Sequence, residues 1–174
     1  LGQLLWLHDE HQPCGVVVVS RQGARFFRSR MGEIEEDPAH PMAMDISQWR
    51  HMGLAKSGTL HGKPALMGVS GEQDALNQRK REYYRRFFES LAAAIARWSE
   101  RDRLEPIALL GNPRAIETIM EALPEEFRGK VVSAAIQPAR ATRSQIVRRA
   151  EPVMDGWRRE RERQDVAAIL EQSQ

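Results

Sequence analysis

The sequence predicts an α/β domain built on a mixed sheet with helices on its faces. Two observations support this prediction. Short strand patterns follow one another directly near the start of the chain, which is typical of an antiparallel meander. After residue 74, helical and strand patterns alternate, which is typical of units that add parallel strands to a sheet. The 174 residues are enough for one domain with a core of its own.

The first two strand patterns are separated by a tight turn. Residues 16–19 are four valines in succession, and such a β-branched run is typical of a strand buried on both faces. Gly23 closes the turn, at a position where a positive φ would favour glycine. The second strand is predicted over residues 24–30, with Phe26 and Phe27 on opposite faces of the sheet.

A short third strand is predicted over residues 33–35, at an edge of the sheet. Four acidic residues form one early acidic patch in and after this strand: Glu33, Glu35, Glu36 and Asp37. Hydrophobic periodicity then fades over residues 38–73, where proline and glycine are frequent. This stretch predicts a long loop, and a long loop inside a compact domain is usually functional.

The longest helical pattern runs from about Asp74 to Arg103. Its apolar residues keep helical spacing and should lie on the core: Leu76, Tyr84, Phe87, Phe88, Leu91, Ile95 and Trp98. Asp74 is the predicted cap of the first turn, because its carboxylate can accept a backbone N–H two or three residues on. The opposite face of this helix begins with a run of basic residues.

Alternating elements follow the long helix. A short buried strand is predicted over residues 107–110, and a helix over residues 115–123. Asn112 is a good N-cap for that helix and Pro113 suits its first position. A further strand is predicted over residues 131–136. These two strands and the meander make five strands in a ribonuclease-H-like arrangement.

The last helix should open at Thr142, and Pro152 should interrupt or kink it before a charged helix over residues 154–170. Its alternating charges over residues 158–163 predict a solvated face. The predicted organisation has three parts: a helical linker from a preceding region over residues 1–13, the domain over residues 14–151 with its long loop, and a charged C-terminal helix over residues 152–174.

Composition and charge narrow the function classes. No apolar run approaches the ~20 residues that span a membrane. The formal net charge of +2 is too small to require a nucleic-acid partner, but arginine is concentrated in the second half of the chain. A single cysteine cannot form an internal disulfide, which favours a reducing, cytoplasmic compartment. The chain is long enough to form a core that needs no metal or disulfide for stability. No cofactor is expected.

A metal site near the start of the chain is a weak candidate. His8 and His11 are spaced i,i+3, and Cys14 follows them. No second Cys/His pair with zinc spacing follows. A polar helix end, where histidine is favourable, is the simpler interpretation of these residues.

Three segments carry a resemblance to a known family: Gly-Val-Val-Val-Val-Ser-Arg-Gln-Gly-Ala-Arg-Phe-Phe over residues 15–27, the step Gly71-Glu72-Gln73-Asp74-Ala75 into an arginine-rich helix, and Leu-Leu-Gly-Asn-Pro over residues 109–113. With the long loop between the first two, these make the chain resemble the middle domain of archaeal and eukaryotic peptide-chain release factors and of Pelota. The resemblance covers about residues 14–154 and is strongest to the bacterial relatives of those factors.

The resemblance implies a ribosome-associated translation factor acting in termination, rescue or stalled-ribosome binding, with rRNA or tRNA as partners. In release factors the corresponding loop carries Gly-Gly-Gln, enters the peptidyl-transferase centre and hydrolyses the ester joining peptide to tRNA. Gly71 and Gln73 match the first glycine and the glutamine, whereas Glu72 replaces the second glycine. A Cβ there obstructs close approach, and a carboxylate opposes a developing oxyanion. RNA binding without hydrolysis, as in Pelota-type relatives, is therefore the favoured implication.

The candidate catalytic residues are Gly71, Glu72 and Gln73, with Glu72 as a conceivable general base. The candidate RNA contacts are Lys63, Arg79, Lys80, Arg81, Arg85 and Arg86, and a solvated helix face is the alternative interpretation of the helix arginines. Tyr83, within this run, could stack on a base.

Two alternatives belong to other function classes. A metal-dependent nuclease would need carboxylates on the sheet to hold divalent ions, but residues 16–19 and 107–110 contain none. A noncatalytic module for binding protein or RNA would use the same fold, with flanking domains of a longer chain choosing the target. Co-sedimentation with ribosomal subunits distinguishes this second alternative from the translation factor.

Overall fold

The structure is a computed structural model that describes residues 12–30, 33–44, 69–137 and 141–172; of residues 69–76 and 172 it describes the backbone alone. The strands are β1 (Cys14–Ser20), β2 (Gly23–Arg30), β3 (Glu33–Glu36), β4 (Met42–Ala43), β5 (Ile107–Gly111) and β6 (Val131–Ala135). The helices are α1 (Val69–Asp102), α2 (Pro113–Ala122), α3 (Glu125–Arg128) and α4 (Arg143–Gln172).

The strands form one mixed sheet in the order β3-β2-β1-β5-β6. Strands β1, β2 and β3 pair antiparallel, whereas β5 is parallel to β1 and β6 is parallel to β5. The fold class, the ribonuclease-H-like arrangement of the five predicted strands and the edge position of the third are therefore confirmed. The sequence did not indicate β4, whose two residues pair with the start of β2.

Strand β1 lies at the centre of the sheet and is buried on both faces, as its four valines predicted. Val17 and Val19 belong to the core layer that contains residues of α1 and α2. Val16 and Val18 belong to the opposite layer, which contains residues of α4. Phe26 lies in the first layer and Phe27 in the second, so the predicted alternation in β2 is confirmed.

Helix α1 begins at Val69, which makes the prediction of a start at Asp74 wrong. Asp74 lies inside the helix and does not occupy its cap position, and the predicted loop does not extend over residues 69–73. Polar and acidic residue types are favourable near a helix start, and one glycine costs only about 1 kcal/mol there. Residues 45–68 of the predicted loop lie outside the described part.

The packed half of α1 follows the predicted pattern. Leu91, Ile95 and Trp98 are buried, and Phe87 and Phe88 are half-buried against the same core layer. Tyr84 stacks on the Phe88 ring at a centroid distance of 6.1 Å. The side chain of Leu76, which was also predicted to lie on the core, is outside the described part.

The later helices begin as predicted. The Asn112 side chain accepts a hydrogen bond from the Arg114 backbone N–H at 3.0 Å, and Pro113 is the first residue of α2. Before α4, the Thr142 backbone N–H donates to the Gln145 side chain at 3.0 Å, and the Gln145 N–H donates back to Thr142 Oγ1 at 3.4 Å. This reciprocal pair is a capping box with glutamine in the third position.

Helix α4 continues through Pro152, so the predicted interruption is wrong. Ile146, Ala150 and Met154 of this helix are buried against the sheet. From Arg159 to Glu171 every residue is exposed, as predicted for the alternating charges. Over the described residues, no helix has the combination of length and apolar character that crossing a membrane requires.

Replacing each of two glycines by alanine should change the free energy of unfolding in opposite directions. Gly23 has φ of +144°, and a Cβ there would collide with the backbone oxygen of Met42, so Gly23→Ala should lower the free energy of unfolding by roughly 2 kcal/mol or more. Gly156 lies inside α4 with open space around a Cβ, so Gly156→Ala should raise it by up to about 1 kcal/mol. Urea denaturation followed by circular dichroism measures both; equal effects would contradict the strained turn.

Candidate functional site

The three candidate catalytic residues lie in the first two turns of α1. Gly71, Glu72 and Gln73 have helical backbone, so the structure does not place them in a loop. In an α-helix the backbone N–H of residue 73 bonds to the carbonyl four residues earlier. The helix thus places Gln73 in a regular hydrogen-bond ladder, and a helical backbone accommodates the Cβ of Glu72 without strain.

This segment lies far from the packed half of the helix. Phe87 is the first α1 residue, among those with described side chains, that packs against the core. Phe87 lies fourteen positions after Gln73, which corresponds to ~21 Å along the helix axis. Residues 77–81 between them are all exposed. The Gly-x-Gln segment is therefore at the outer end of a helical rod.

The basic run begins on the exposed part of this rod. Arg79, Lys80 and Arg81 are consecutive and exposed. Arg79 and Arg81 form no ion pair with any other residue that the structure describes. Their guanidinium charges are therefore available to an anionic partner. Lys63, the remaining predicted RNA contact, lies outside the described part.

Two other arginines predicted to contact RNA have carboxylate partners. Arg85 pairs with Glu82 at 2.7 Å and with Glu89 at 2.5 Å, both on α1. The hydrogen bond that Arg85 donates to Glu82 raises the pKa of Arg85, and the negative charges of both glutamates act in the same direction. Arg86 approaches Glu82 at 3.3 Å, but 74% of its side chain is exposed. The charge of Arg85 is thus locally compensated, whereas that of Arg86 faces solvent.

A buried carboxylate anchors the other end of α1. One oxygen of Asp37, Oδ2, accepts hydrogen bonds from Arg28 at 2.8 Å and from the Trp98 indole N–H at 3.1 Å. The second, Oδ1, accepts from the Ala39 backbone N–H at 3.0 Å. Only 4% of the Asp37 side chain is exposed. Asp37 is therefore buried, whereas Glu33, Glu35 and Glu36 of the early acidic patch are exposed.

His40 extends this network in one defined tautomer. Its Nδ1 lies 3.0 Å from Asp37 Oδ2, and its Nε2 lies 3.0 Å from Arg101 Nη1. A guanidinium can only donate hydrogen bonds, so Nε2 must accept. The proton of the neutral imidazole is then on Nδ1 and is donated to Asp37. Arg101 and Arg28 also pair with Asp102, at 2.7 and 2.9 Å.

The hydrogen bonds outweigh the cost of burying these charges. Burial by itself raises the pKa of Asp37, but the donors from Ala39, Trp98 and Arg28 bring it below its usual value. The hydrogen bond from Arg101 is the largest influence on Asp102 and also lowers the pKa of that carboxyl. The network therefore holds residues 37–40, where the chain leaves β3, against the last turns of α1.

The sequence contained one signal for this network. A tryptophan buried at the centre of a domain usually requires a hydrogen-bond acceptor for its indole N–H. Trp98 was predicted to be a core residue, and it is 1% exposed. Its acceptor is 61 residues away in the chain, and sequence spacing does not reveal a pair of that separation.

A cleft near the end of α1 contains an ion pair in its lining. Its volume is about 670 Å³, and Ser99, Glu105 and Lys130 contribute to its lining. Lys130 pairs with Glu105 at 3.2 Å, and the Ser99 hydroxyl donates to the Leu104 carbonyl at 2.8 Å. These contacts hold the cleft together, and Ser99 is not activated by a neighbouring base.

Within the described ranges, no group of three or more His, Cys, Asp or Glu residues is arranged to hold a metal ion. His8 and His11, the weak metal candidates, lie outside those ranges. Cys14 is buried, and its Sγ lies 2.9 Å from Arg158 Nη2. Burial raises the pKa of the Cys14 thiol, although Arg158 opposes the shift. Cys14 is thus a core residue of β1.

Replacing Asp37 should be costly, and replacing its neighbour should not. Asp37→Asn replaces one acceptor oxygen by an NH2 group, which must face another N–H donor, either that of Ala39 or those of Arg28 and Trp98. The free energy of unfolding should therefore fall by roughly 1–3 kcal/mol. Glu36→Gln is the matched control, because Glu36 is 46% exposed beside Arg25 and its loss should cost under about 0.5 kcal/mol. Equal losses in urea denaturation would contradict the anchoring role.

The stability of the wild type and that of Asp37→Asn should depend differently on pH. Because the folded-state pKa of Asp37 is lowered from 3.8, its stabilisation is fully present above that value and is lost as the pH falls through the lower folded value. The wild type should therefore lose more stability than Asp37→Asn between about pH 5 and pH 2. Parallel curves of unfolding free energy against pH would show that the carboxylate contributes nothing.

The chain matches a protein family and is similar to solved structures. The profile of bacterial archaeo-eukaryotic release factor family 10 matches residues 1–154. No curated protein matches the chain. Among matching solved structures, one described as an archaeal protein has a TM-score of 0.45 and 15% identity, over 99% of this chain and 42% of its own. A crystal structure of the archaeal translation termination factor aRF1 has a TM-score of 0.40 and 13% identity, over 92% and 45%.

The chain thus spans less than half the length of either solved structure. The profile match extends from the first residue to Met154 of α4, and it includes the whole sheet and α1. It therefore covers the Gly-x-Gln segment, the basic run and the Asp37 network together. The protein belongs to the bacterial archaeo-eukaryotic release factor family.

Proposed function

We propose that this protein is a ribosome-associated translation factor of the release-factor and Pelota class, and that it acts by binding RNA rather than by hydrolysing peptidyl-tRNA. Termination, rescue and stalled-ribosome binding are the settings that this class implies. Family membership supports a role related to translation. The observation that carries the RNA contact is the exposed basic run on the outer part of α1, where Arg79 and Arg81 have no ion pair within the described residues.

The charges favour RNA for a physical reason. A phosphate backbone is a dense polyanion, and each cation that neutralises a phosphate releases a counterion. Guanidinium groups bind phosphate oxygens through paired N–H donors. Three consecutive basic residues on a rod that extends ~21 Å from the core can reach phosphates inside a larger RNA assembly.

The helical setting of Gly71 to Gln73 supports binding without hydrolysis. A hydrolytic loop must present its groups to a reacting ester and must stabilise a developing oxyanion. Here the segment has helical backbone, in which the N–H of Gln73 bonds to the carbonyl four residues earlier. Glu72 adds a negative charge that opposes an oxyanion. Hydrolysis would require the first turns of α1 to unwind.

Ribosome binding should be steeply dependent on salt. The 174-residue chain should pellet with ribosomes in sucrose-cushion centrifugation, with affinity falling as salt rises. The double variant Arg79→Gln/Arg81→Gln should lower the slope of log affinity against log salt by about two, because each phosphate contact contributes about one. Arg148→Gln/Arg149→Gln is the matched control, since both residues are exposed on α4 and the net charge changes equally.

Two results would contradict RNA binding through the basic run. One is a wild-type affinity that does not change with salt. The other is an equal effect of the α1 and α4 double variants, which would indicate a response to overall charge alone.

Peptide release should not depend on Gln73. On ribosomes stalled with labelled peptidyl-tRNA, wild type and Gln73→Ala should both release peptide at the rate of factor-free ribosomes, because the segment is helical and carries Glu72. Their binding to ribosomes should be equal within about twofold, since the substitution removes no charge. Release by the wild type that Gln73→Ala abolishes would establish hydrolysis instead.

A further inference from the structure

The proposed RNA contact continues along α1 beyond the basic run. Arg79 and Arg86 are seven residues apart, and Arg86 and Arg97 are eleven apart. These separations are close to whole numbers of turns at ~3.6 residues per turn. The three arginines therefore lie on one side of the helix, here called the outer stripe. The opposite side carries Leu91 and Ile95, which are buried in the core.

The outer stripe contains no carboxylate between its arginines. The intervening positions on the same side are Tyr83, Ser90 and Ala93. Ser90, Ala93 and Arg97 are exposed, and Tyr83 is half-buried. Glu82 and Glu89 lie to one side of the stripe, where they hold Arg85, and Glu82 also approaches Arg86 at 3.3 Å. The helix thus places its compensating acids beside the stripe and leaves uncharged residues along it.

Arg97 is the residue that the basic run alone does not reveal. It lies eleven positions after Arg86, among alanines and buried apolar residues. It forms no ion pair with any residue in the part of the chain that the structure describes. A cation on a packed helix that forms no ion pair with a carboxylate is well placed to meet an external anion. Its position is also rigid, because Ile95 and Trp98 on either side are buried.

We propose that the outer stripe, Arg79, Arg86 and Arg97, is a continuous contact for the phosphate backbone of one ribosomal RNA strand. This proposal rests on the function proposed above and extends its site from the outer part of α1 onto the core. The stripe spans 18 residues, or ~27 Å.

The form of the stripe favours RNA over an acidic peptide. Its arginine positions are ~10 and ~16 Å apart along the helix axis, which suits a polyanion whose charges recur along its whole length. An aromatic side chain, Tyr83, lies between the first two arginines, and bases stack on aromatic rings. Arginine forms paired hydrogen bonds to phosphate in a fixed geometry.

The test compares one arginine on each face of the sheet. Arg97→Gln and Arg148→Gln each remove one exposed positive charge, Arg97 on the α1 layer and Arg148 on the α4 layer. Both variants of the 174-residue chain are assayed for binding to purified ribosomes across a salt series, and for binding to free tRNA. Thermal melting by circular dichroism checks that each variant is as stable as the wild type.

The stripe predicts that Arg97→Gln weakens ribosome binding several-fold near 0.1 M salt and lowers the salt slope by about one. Arg148→Gln should leave both unchanged. If the wild type binds ribosomes and the two variants behave alike, the stripe is wrong while the proposed function remains. If Arg97→Gln weakens only the binding to free tRNA, the assignment to ribosomal RNA is wrong. If the wild type does not bind ribosomes, both proposals fail.

Discussion

The hydrogen bond between the Trp98 indole and the Asp37 carboxylate joins residues that are 61 positions apart in the sequence. Burying a carboxylate in a core is unfavourable unless donors surround it. Here the donors come from β2, from the chain after β3 and from α1, so the charge can be buried only when all three are assembled. The same contact fixes where residues 37–40 leave the sheet and where the last turns of α1 rest. The orientation of α1 against the sheet, and hence of every group that it carries, depends on this constraint.

The strands could be predicted because their signals are local. Four successive valines and the alternation of Phe26 and Phe27 report burial directly, and each was found on the predicted face. The start of α1 could not be predicted in the same way. Gly71 and the polar residues around it suit both a loop and a helix start, and the choice depends on context beyond the segment. The burial of Asp37 was missed for a related reason, since its partners lie far away in the chain and an acid beside three glutamates resembles a surface residue.

The candidate site, too, could be predicted from the sequence only in part. Sequence spacing correctly placed a basic run on α1, but it could not tell which arginines have a carboxylate partner. Arg85 sits between Glu82 and Glu89, whereas Arg79 faces neither. A residue at i,i+3 or i,i+4 is only an available partner, and rotamers decide which pairs form. The helical state of Gly71 to Gln73 likewise changes what the Gly-x-Gln resemblance implies, because backbone conformation determines which N–H groups are presented.

Helix α1 is 34 residues long, and its length has a mechanical consequence. An α-helix bends little over ~50 Å, so it moves as a rod. With Phe87 as the pivot, 18 residues lie on the outer side and 15 on the inner side. A sideways load on the outer part is therefore carried along the helix to its packed inner part. There it is resisted by the burial of Leu91, Ile95 and Trp98 and by the hydrogen bond from Trp98 to Asp37.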